Sequence, residues 1–387
     1  AVLPAALTAE LTLRYPDGHT DTICTDASWQ TAESAVRFSE LYDGETYDAA
    51  FEPSVWTPAV IYDGPTDTLI EQQGEPVREQ ERIAPARIFK TPAGEIVVDF
   101  GQNLTGYVEI ALDGVKGEAV ELSHAEVLDK NGNFYTENYR SAKAKYLYFC
   151  KDGAQCYKPK LTFYGFRYIR VDRFPCGAEH AAQENFTAIA VHSDMKRTGY
   201  LSCSDPLLNK LFENVIWGQK SNFLDVPTDC PQRDERLGWT GDAQVFIRTA
   251  CLNFDAERFF TKWLADLAAD QREDGAVGHV IPNVRHQSGS AAWDDAATIC
   301  PWAVYLAYGD PNILRAQFAS MKKWVDYITA HTTTKDLWTG GEHYGDWLGL
   351  DAPSGSYKGS SREDLIASAF YAQSTALVIK AGRVLGQ

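Results

Sequence analysis

The sequence has no run of apolar residues approaching the roughly 20 that a membrane-crossing helix needs. It has no surplus of positive charge either. Lys and Arg number 36 against 53 Asp and Glu, a formal net charge of −17. Nucleic-acid binders show basic patches or stripes, so that class of partner is excluded. Eight cysteines are present, yet none forms a CxxC pair, which removes the usual zinc signature. His279, His286 and His343 show no HxxxH spacing, so no metal is expected. GxSxG, P-loop and Rossmann fingerprints are also missing, and no nucleotide or other cofactor is expected. No secretory signal, low-complexity segment or short-period repeat is visible. The chain starts at Ala1 rather than Met, so its natural N-terminus is expected to lie upstream.

What is there fits a folded protein of more than one domain. The 387 residues allow two or three domains at about 150 residues each. The 44% apolar and 12% aromatic content is enough for sizeable cores. Cys24, Cys150, Cys156, Cys176, Cys203, Cys230, Cys251 and Cys300 are scattered, as free thiols in a reducing compartment would be. A cytoplasmic location is the corresponding expectation. The acidic balance favours a neutral ligand without naming one.

The first half reads as β. Glu10-Leu11-Thr12-Leu13-Arg14-Tyr15 alternates polar and apolar residues before a Pro16-Asp17-Gly18 turn. Residues 62–90 have little periodicity and resemble a connector. From 94 to 174, Val108, Ile110, Leu112, Val120 and Leu122 alternate with polar or small neighbours. Lys145–Phe149 and Phe166–Val171 follow as strands, and Gly-rich turns suggest a sandwich.

Near residue 200 the period changes. Leu208, Leu211, Phe212 and Val215 fall on one helical face, opened by Asp205 and Pro206. Phe260, Trp263, Leu264 and Leu267 repeat the spacing, with Asp255 as candidate cap. Leu314, Phe318, Met321, Val325 and Ile328 follow Asp310-Pro311. Residues 294–308, residues 364–385 and the run after Asp242 bring the expected helices to about six.

The densest chemistry lies in Asp229-Cys230-Pro231-Gln232-Arg233-Asp234-Glu235-Arg236-Leu237-Gly238-Trp239-Thr240-Gly241-Asp242. Pro231, Gly238 and Gly241 mark a loop that delivers acids to the head of a helix. Cleavage of a glycosidic bond needs one carboxylic acid to protonate the leaving oxygen and a second carboxylate as base or nucleophile. Asp229, Asp234, Glu235 and Asp242 supply the crowding that can raise an acid's pKa. A continuous helix would set Glu235 and Asp242 two turns apart on one face. Arg233 and Arg236 can hold neighbouring carboxylates ionised or bind sugar hydroxyls. The plainer reading is a capped helix start with surface ion pairs.

Trp239, Trp293 and Trp347 stand in polar, loop-like contexts, and indole faces stack well on sugars. Each taken alone is more simply a core residue; three together favour a carbohydrate cleft. Asp99-Phe100-Gly101-Gln102-Asn103-Leu104-Thr105-Gly106 reads as a turn between strands, its composition accounted for by turn chemistry. His124 and His192 are expected to be structural.

The run from Asp229 to Asp242 resembles the signature of bacterial α-L-rhamnosidases, glycoside hydrolase family 78. The resemblance extends over nearly the whole chain. Asp43-Gly44-Glu45-Thr46-Tyr47-Asp48 is similar to that family's N-terminal β module, and Val98 to Gly106 to its second. Ala292-Trp293-Asp294-Asp295-Ala296-Ala297 and Gly345-Asp346-Trp347-Leu348 are similar to its six-hairpin helical domain. The implied architecture is β-sandwich modules followed by an all-α (α/α)6 toroid, of which about half is expected here. The implied domains are 1–62, the end of the N-terminal sandwich; 63–93, a connector; 94–190, a second sandwich; and 191–387, the first half of the toroid.

The resemblance also implies inverting hydrolysis of terminal α-L-rhamnosyl groups. By position, Glu235 is the general acid, and Asp229 and Asp242 shape the site and bind sugar hydroxyls. Arg233, Asp234, Trp239, Trp293 and Trp347 bind substrate. The family's general base, a Glu, is expected beyond Gln387. Small rhamnosylated glycosides or oligosaccharides are the expected partners, with no nucleic acid and no membrane, and a homodimer left open. Two other readings stand beside this one. The chain is a carbohydrate-binding, catalytically incomplete fragment, or a toroid enzyme acting on another deoxy or uronic sugar.

Overall fold

The computed structural model of the protein describes residues 6–64 and 69–387. Glu10–Arg14 and Thr20–Cys24 form the expected antiparallel hairpin. Gly18 takes a φ of 86° in its turn, a conformation that glycine adopts without strain.

The main β unit is one ten-stranded ladder. Its strands, numbered within the sheet, are β1 (Val36–Glu40), β2 (Gly44–Asp48), β3 (Val77–Ile83), β4 (Arg87–Lys90) and β5 (Ile96–Gly114). The others are β6 (Ala119–Ala125), β7 (Lys145–Phe149), β8 (Gly153–Tyr157), β9 (Tyr164–Arg173) and β10 (Phe186–Ser193). The order is β1-β2-β7-β6-β9-β5-β10-β3, with β4 and β8 also pairing with β5. Val98, Val108, Ile110, Val120, Leu122 and Ile169 are fully buried in one cluster, so the ladder curls over a shared core.

Three expectations change here. The segment read as a connector supplies β3 and β4, and residues 65–68 of it lie outside the described residues. Its exposed, polar strand faces hide the alternation that marks a half-buried strand. Strand β2, assigned to the first module, pairs in parallel with β7, so the first module's last strands belong to the second's sheet. The presumed turn at Asp99–Gly106 is instead interior to β5. Gly101, at φ 76°, lies where the register with β9 shifts between Phe166 and Tyr168, a bulge rather than a reversal. Asp99 is buried there against Arg167 (2.8 Å) and Arg87 (3.3 Å).

Six helices follow: α1 (Pro206–Asn222), α2 (Thr240–Asn253), α3 (Glu257–Asp270), α4 (Ala296–Tyr308), α5 (Asn312–His331) and α6 (Glu363–Leu385). Asp205 caps α1 by accepting from Leu207 N at 2.8 Å, with Pro206 in the first turn. On α3, Phe260, Trp263, Leu264 and Leu267 are fully buried, as are Leu314, Met321 and Ile328 on α5. Helix α4 packs against α2, α3, α5 and α6, and its Ala296, Ala297, Cys300 and Val304 are buried. The face read on α1 is the exception: Leu208 and Leu211 are exposed. Helix α1 instead lies on the β unit, where Trp217 packs on its core and Thr105 Oγ1 donates to Ser221 O at 2.8 Å.

Candidate active site

The acidic stretch is a loop between the short strand Val226–Pro227 and α2, pressed against the β unit. Arg236 is buried and donates to three carbonyls: Leu41 O (2.8 Å), Phe163 O (2.7 Å) and Gln232 O (3.1 Å). Its Nη1 therefore ties the loop to the β unit through two backbone carbonyls, and none of its hydrogen bonds goes to a carboxylate. Tyr42 Oη donates to Glu235 O at 2.6 Å. Gly165 on β9 fits under the loop, and a Cβ there would stand 2.8 Å from Pro231.

Helix α2 begins at Thr240, so Glu235 lies on the loop and shares no helical face with Asp242. Gly241 lies inside α2, and the break comes earlier, where Arg236 takes a φ of 54° and the chain through Gly238 and Trp239 is still loop. The Glu235 side chain is 14% exposed. Its Oε1 accepts from Trp239 Nε1 at 2.9 Å, and its Oε2 from Arg233 Nε at 2.9 Å and Arg140 Nη1 at 3.0 Å. Arg233 also donates to Asp229 Oδ2 at 3.0 Å, and Leu237 N to Asp229 Oδ1 at 3.0 Å.

The charge balance differs from the expectation that crowding keeps a proton on Glu235. Burial pushes the Glu235 carboxyl up, but Arg233 and then Arg140 outweigh it and hold it below its ordinary value. The carboxyls that rise are its neighbours. Burial raises Asp229 against its bonds to Leu237 and Arg233. Burial, then the charge of Asp229, raises Asp242 to about 6. Asp242 sits in the first turn of α2, where free amides favour an anion by about 0.3–1 kcal/mol; that is too little to reverse the rise. Solvent reaches Asp242 from the open side of the cleft, which weakens both causes and leaves the direction.

Asp234 is not in the cleft. Its Oδ2 accepts from Ser141 Oγ at 2.5 Å, and its Oδ1 lies 3.7 Å from Arg140. It latches the loop to the β unit, so its expected contact with substrate is corrected to an anchoring one. Asp229, Cys230 and Glu235 bring one potential ligand atom each within 4.8 Å of one another. Arg233 already satisfies both carboxylates, however, and burial, then Asp229, pushes the Cys230 thiol up to about 12. The donor set therefore fits an ion-pair cluster better than a metal.

The acids line a cleft of about 470 Å³ with Trp239, Trp293 and Trp347. The three expected indoles are thus brought together. Tyr344 stands between them, its ring centroid 4.5 Å from Trp293, 5.6 Å from Trp347 and 6.0 Å from Trp239. His279 Nδ1 holds the Tyr344 hydroxyl at 2.9 Å. Trp293 is aimed by its neighbours. Ala292 takes a φ of 68°, with its N–H on Asp295 Oδ2 at 2.8 Å. Gly241 leaves room for the indole, which a Cβ would meet at 2.7 Å. Asp294 and Asp295 are fully buried and serve as braces: Asp295 accepts from Trp324 Nε1 (3.0 Å) and Ser374 Oγ. A largely apolar cavity of about 540 Å³ adjoins the cleft, sharing Asp229, Asp242, Trp293 and Trp347.

Sequence reasoning missed Arg140 and Tyr344. Tyr344 carried a signal, an aromatic three residues before Trp347 in the same loop. Arg140 carried none, since it lies 95 residues before Glu235 beside a short helical turn of the β unit. His124 and His192, expected to be structural, are both buried. His124 is buried, stacks on Tyr164 at 3.8 Å and meets Ala144 O at 2.7 Å, and His192 is buried beside Ser193 O. All eight cysteines are free. Among the described residues, no helix is long and apolar enough to cross a membrane.

Comparison with known proteins gives the cleft its context. Three family models match in succession: the alpha-L-rhamnosidase N-terminal domain over residues 3–81, the bacterial alpha-L-rhamnosidase concanavalin-like domain over 89–192, and the bacterial alpha-L-rhamnosidase 6 hairpin glycosidase domain over 196–387. An alpha-L-rhamnosidase of Streptomyces avermitilis is 37% identical over 99% of this chain and 37% of its own length. One from an Alteromonas species is 39% identical over 99% of this chain and 43% of its own. The chain thus spans about two fifths of the length of these curated relatives. The Streptomyces avermitilis alpha-L-rhamnosidase solved in complex with L-rhamnose superposes with a TM-score of 0.91 at 36% identity, covering 98% of this chain and 37% of that one. An alpha-L-rhamnosidase of Aspergillus terreus also gives 0.91, at 35% identity over 98% of this chain and 45% of its own. With β-rich domains leading into six helices and all three domain models of one kind in register, the chain belongs to the family of bacterial alpha-L-rhamnosidases.

Proposed function

We propose that the cleft binds the terminal α-L-rhamnosyl group of a small glycoside or oligosaccharide, and that Glu235 protonates the departing oxygen in an inverting single displacement. The observation that carries this reading is the Glu235 carboxylate, lodged between Trp239 and two guanidinium groups in a cleft of three indoles. The apolar walls suit a 6-deoxy sugar, whose methyl group gives them something to grip. The relatives' names, and the L-rhamnose bound to one of them, favour the same substrate class. Asp229 and Glu235 have carboxylate oxygens within 4.8 Å of each other. Inverting enzymes keep their two catalytic carboxyls about 6.5–9.5 Å apart to admit water, so Asp229 acts as a hydroxyl-binding partner and not as the base.

Before a substrate binds, the two arginines keep Glu235 ionised. A substrate that excludes water and draws a guanidinium onto its hydroxyls removes the stabilisation of that charge, and the carboxyl then gains its proton. A second reading follows from the surroundings of Asp242: burial and then the charge of Asp229 push its carboxyl up, which suits it better to hold a proton beforehand. The test compares Glu235→Gln and Asp242→Asn in the complete protein, on rhamnosides with poor and with activated leaving groups. Loss confined to the poor leaving group identifies the acid. Unchanged turnover by Glu235→Gln on the poor leaving group overturns the first reading. Binding of L-rhamnose with no hydrolysis by the wild type overturns both in favour of a binding protein.

A further inference from the structure

Glu235 Oε2 is held by two guanidinium groups, and only one is local. Arg233 belongs to the same loop. Arg140 comes from the β unit, just after the short helical turn Glu137–Tyr139. It takes a φ of 56°, a conformation that a non-glycine residue keeps only where the surrounding structure imposes it. Its Nη1 lies 3.0 Å from Glu235 Oε2 and 3.7 Å from Asp234 Oδ1. The next residue, Ser141, donates to the other oxygen of Asp234 at 2.5 Å. Two consecutive residues of the β unit thus grip two consecutive acids of the loop.

We infer that Arg140 is a positioning residue by which the β unit ties Glu235 Oε2 back, leaving Oε1, beside the Trp239 indole, as the oxygen available to a ligand. Its catalytic consequence rests on the reading of Glu235 as the acid; the positioning itself does not. The charged and titratable groups around this carboxyl are Arg233, Asp229 and Cys230 on the loop, Asp242 on α2, and Arg140 with its partner Asp234. Of the two cations, Arg140 is the one whose side chain is 55% exposed. It can therefore be exchanged without opening the core. Its attraction also favours the ionised carboxyl, in the same direction as the depression of Glu235 by both arginines.

The test uses Trp239 as reporter, since its indole N–H rests on Glu235 Oε1. The chain has ten tryptophans, so the pH titration of emission is read as the difference between the protein and its Glu235→Gln variant. Arg140→Gln is expected to move the midpoint upward by about one pH unit, the low end for removing one opposite charge. Arg140→Lys is expected to restore most of the shift, and Ser141→Ala, which cuts only the Asp234 grip, to leave the midpoint in place. A midpoint unmoved by Arg140→Gln, or moved equally by Ser141→Ala, overturns the inference and reduces Arg140 to a loop latch. In the complete protein the alkaline limb of kcat should follow the midpoint upward in Arg140→Gln. If Glu235→Gln leaves turnover intact, the acid assignment fails while the fluorescence result still decides the role of Arg140.

Discussion

Replacing Glu235 with Gln changes shape very little and chemistry a great deal. The amide oxygen can keep the Trp239 bond, now 2.9 Å. The amide nitrogen would face Arg233 Nε and Arg140 Nη1, donors against a donor. Arg233 retains Asp229, and Arg140, more than half exposed, can turn into water. The loss of the two charge-assisted contacts to Oε2 should therefore cost stability by about 1.5–3 kcal/mol, leaving the protein folded. The catalytic loss should be larger. General acid catalysis contributes about 10²–10⁴-fold, or about 3–5 kcal/mol of barrier. A leaving group acidic enough to depart as an anion does not need that proton. In the complete protein, kcat on an alkyl or sugar rhamnoside should fall by about that factor, while kcat on a dinitrophenyl rhamnoside should fall less than about tenfold. Equal losses on both substrates, or no loss on the first, would refute the assignment.

Three further outcomes are expected. Asp242 is raised from 3.8 to about 6, so between those values the folded state binds more protons than the unfolded chain and stability falls as pH rises. Asp242→Asn should flatten that decline, and thermal melts of the two proteins from pH 4 to 7 would show it. Arg236→Met should destabilise by about 2–4 kcal/mol in a denaturant titration, because the carbonyls of Leu41 and Phe163 lose their donor inside the domain contact. Trp239→Phe keeps a ring in the cleft but removes the donor to Glu235. A loss of about 1 kcal/mol, roughly five- to tenfold in kcat/KM, is expected, with melting temperature nearly unchanged.

The helices were legible because one face of each meets a core. Trp263 and Leu264 on α3, and Leu314 and Met321 on α5, are spaced at the helical period and are fully buried. Helix α1 shows the limit: its period is real, yet Leu208 and Leu211 are exposed and the helix rests on the sheet by other residues. Strands β3 and β4 were missed because most of their residues face water, and the parallel pairing of β2 with β7 joins segments about 100 residues apart that no local pattern relates. The cleft's acids and indoles stood out as residue types. Their charge states did not, since the state of Glu235 depends on Arg140, which only the fold brings near. Asp234 and Asp242 look alike in sequence, yet one latches the loop to the β unit and the other borders the cleft.

The loop's dependence on two bodies bears on how such proteins can be recombined. The sheet residue beneath Pro231 has to be Gly165 because any Cβ there would collide with the loop, and the carbonyls that receive Arg236 come from the turn after β1 and the residue just before β9. A helical half transplanted onto a foreign sheet would carry all of its acids and still present them at the wrong height. Chimaeras that exchange the halves should work only when the seam travels whole, with Leu41, Arg140, Phe163 and Gly165 inherited alongside the acids they support.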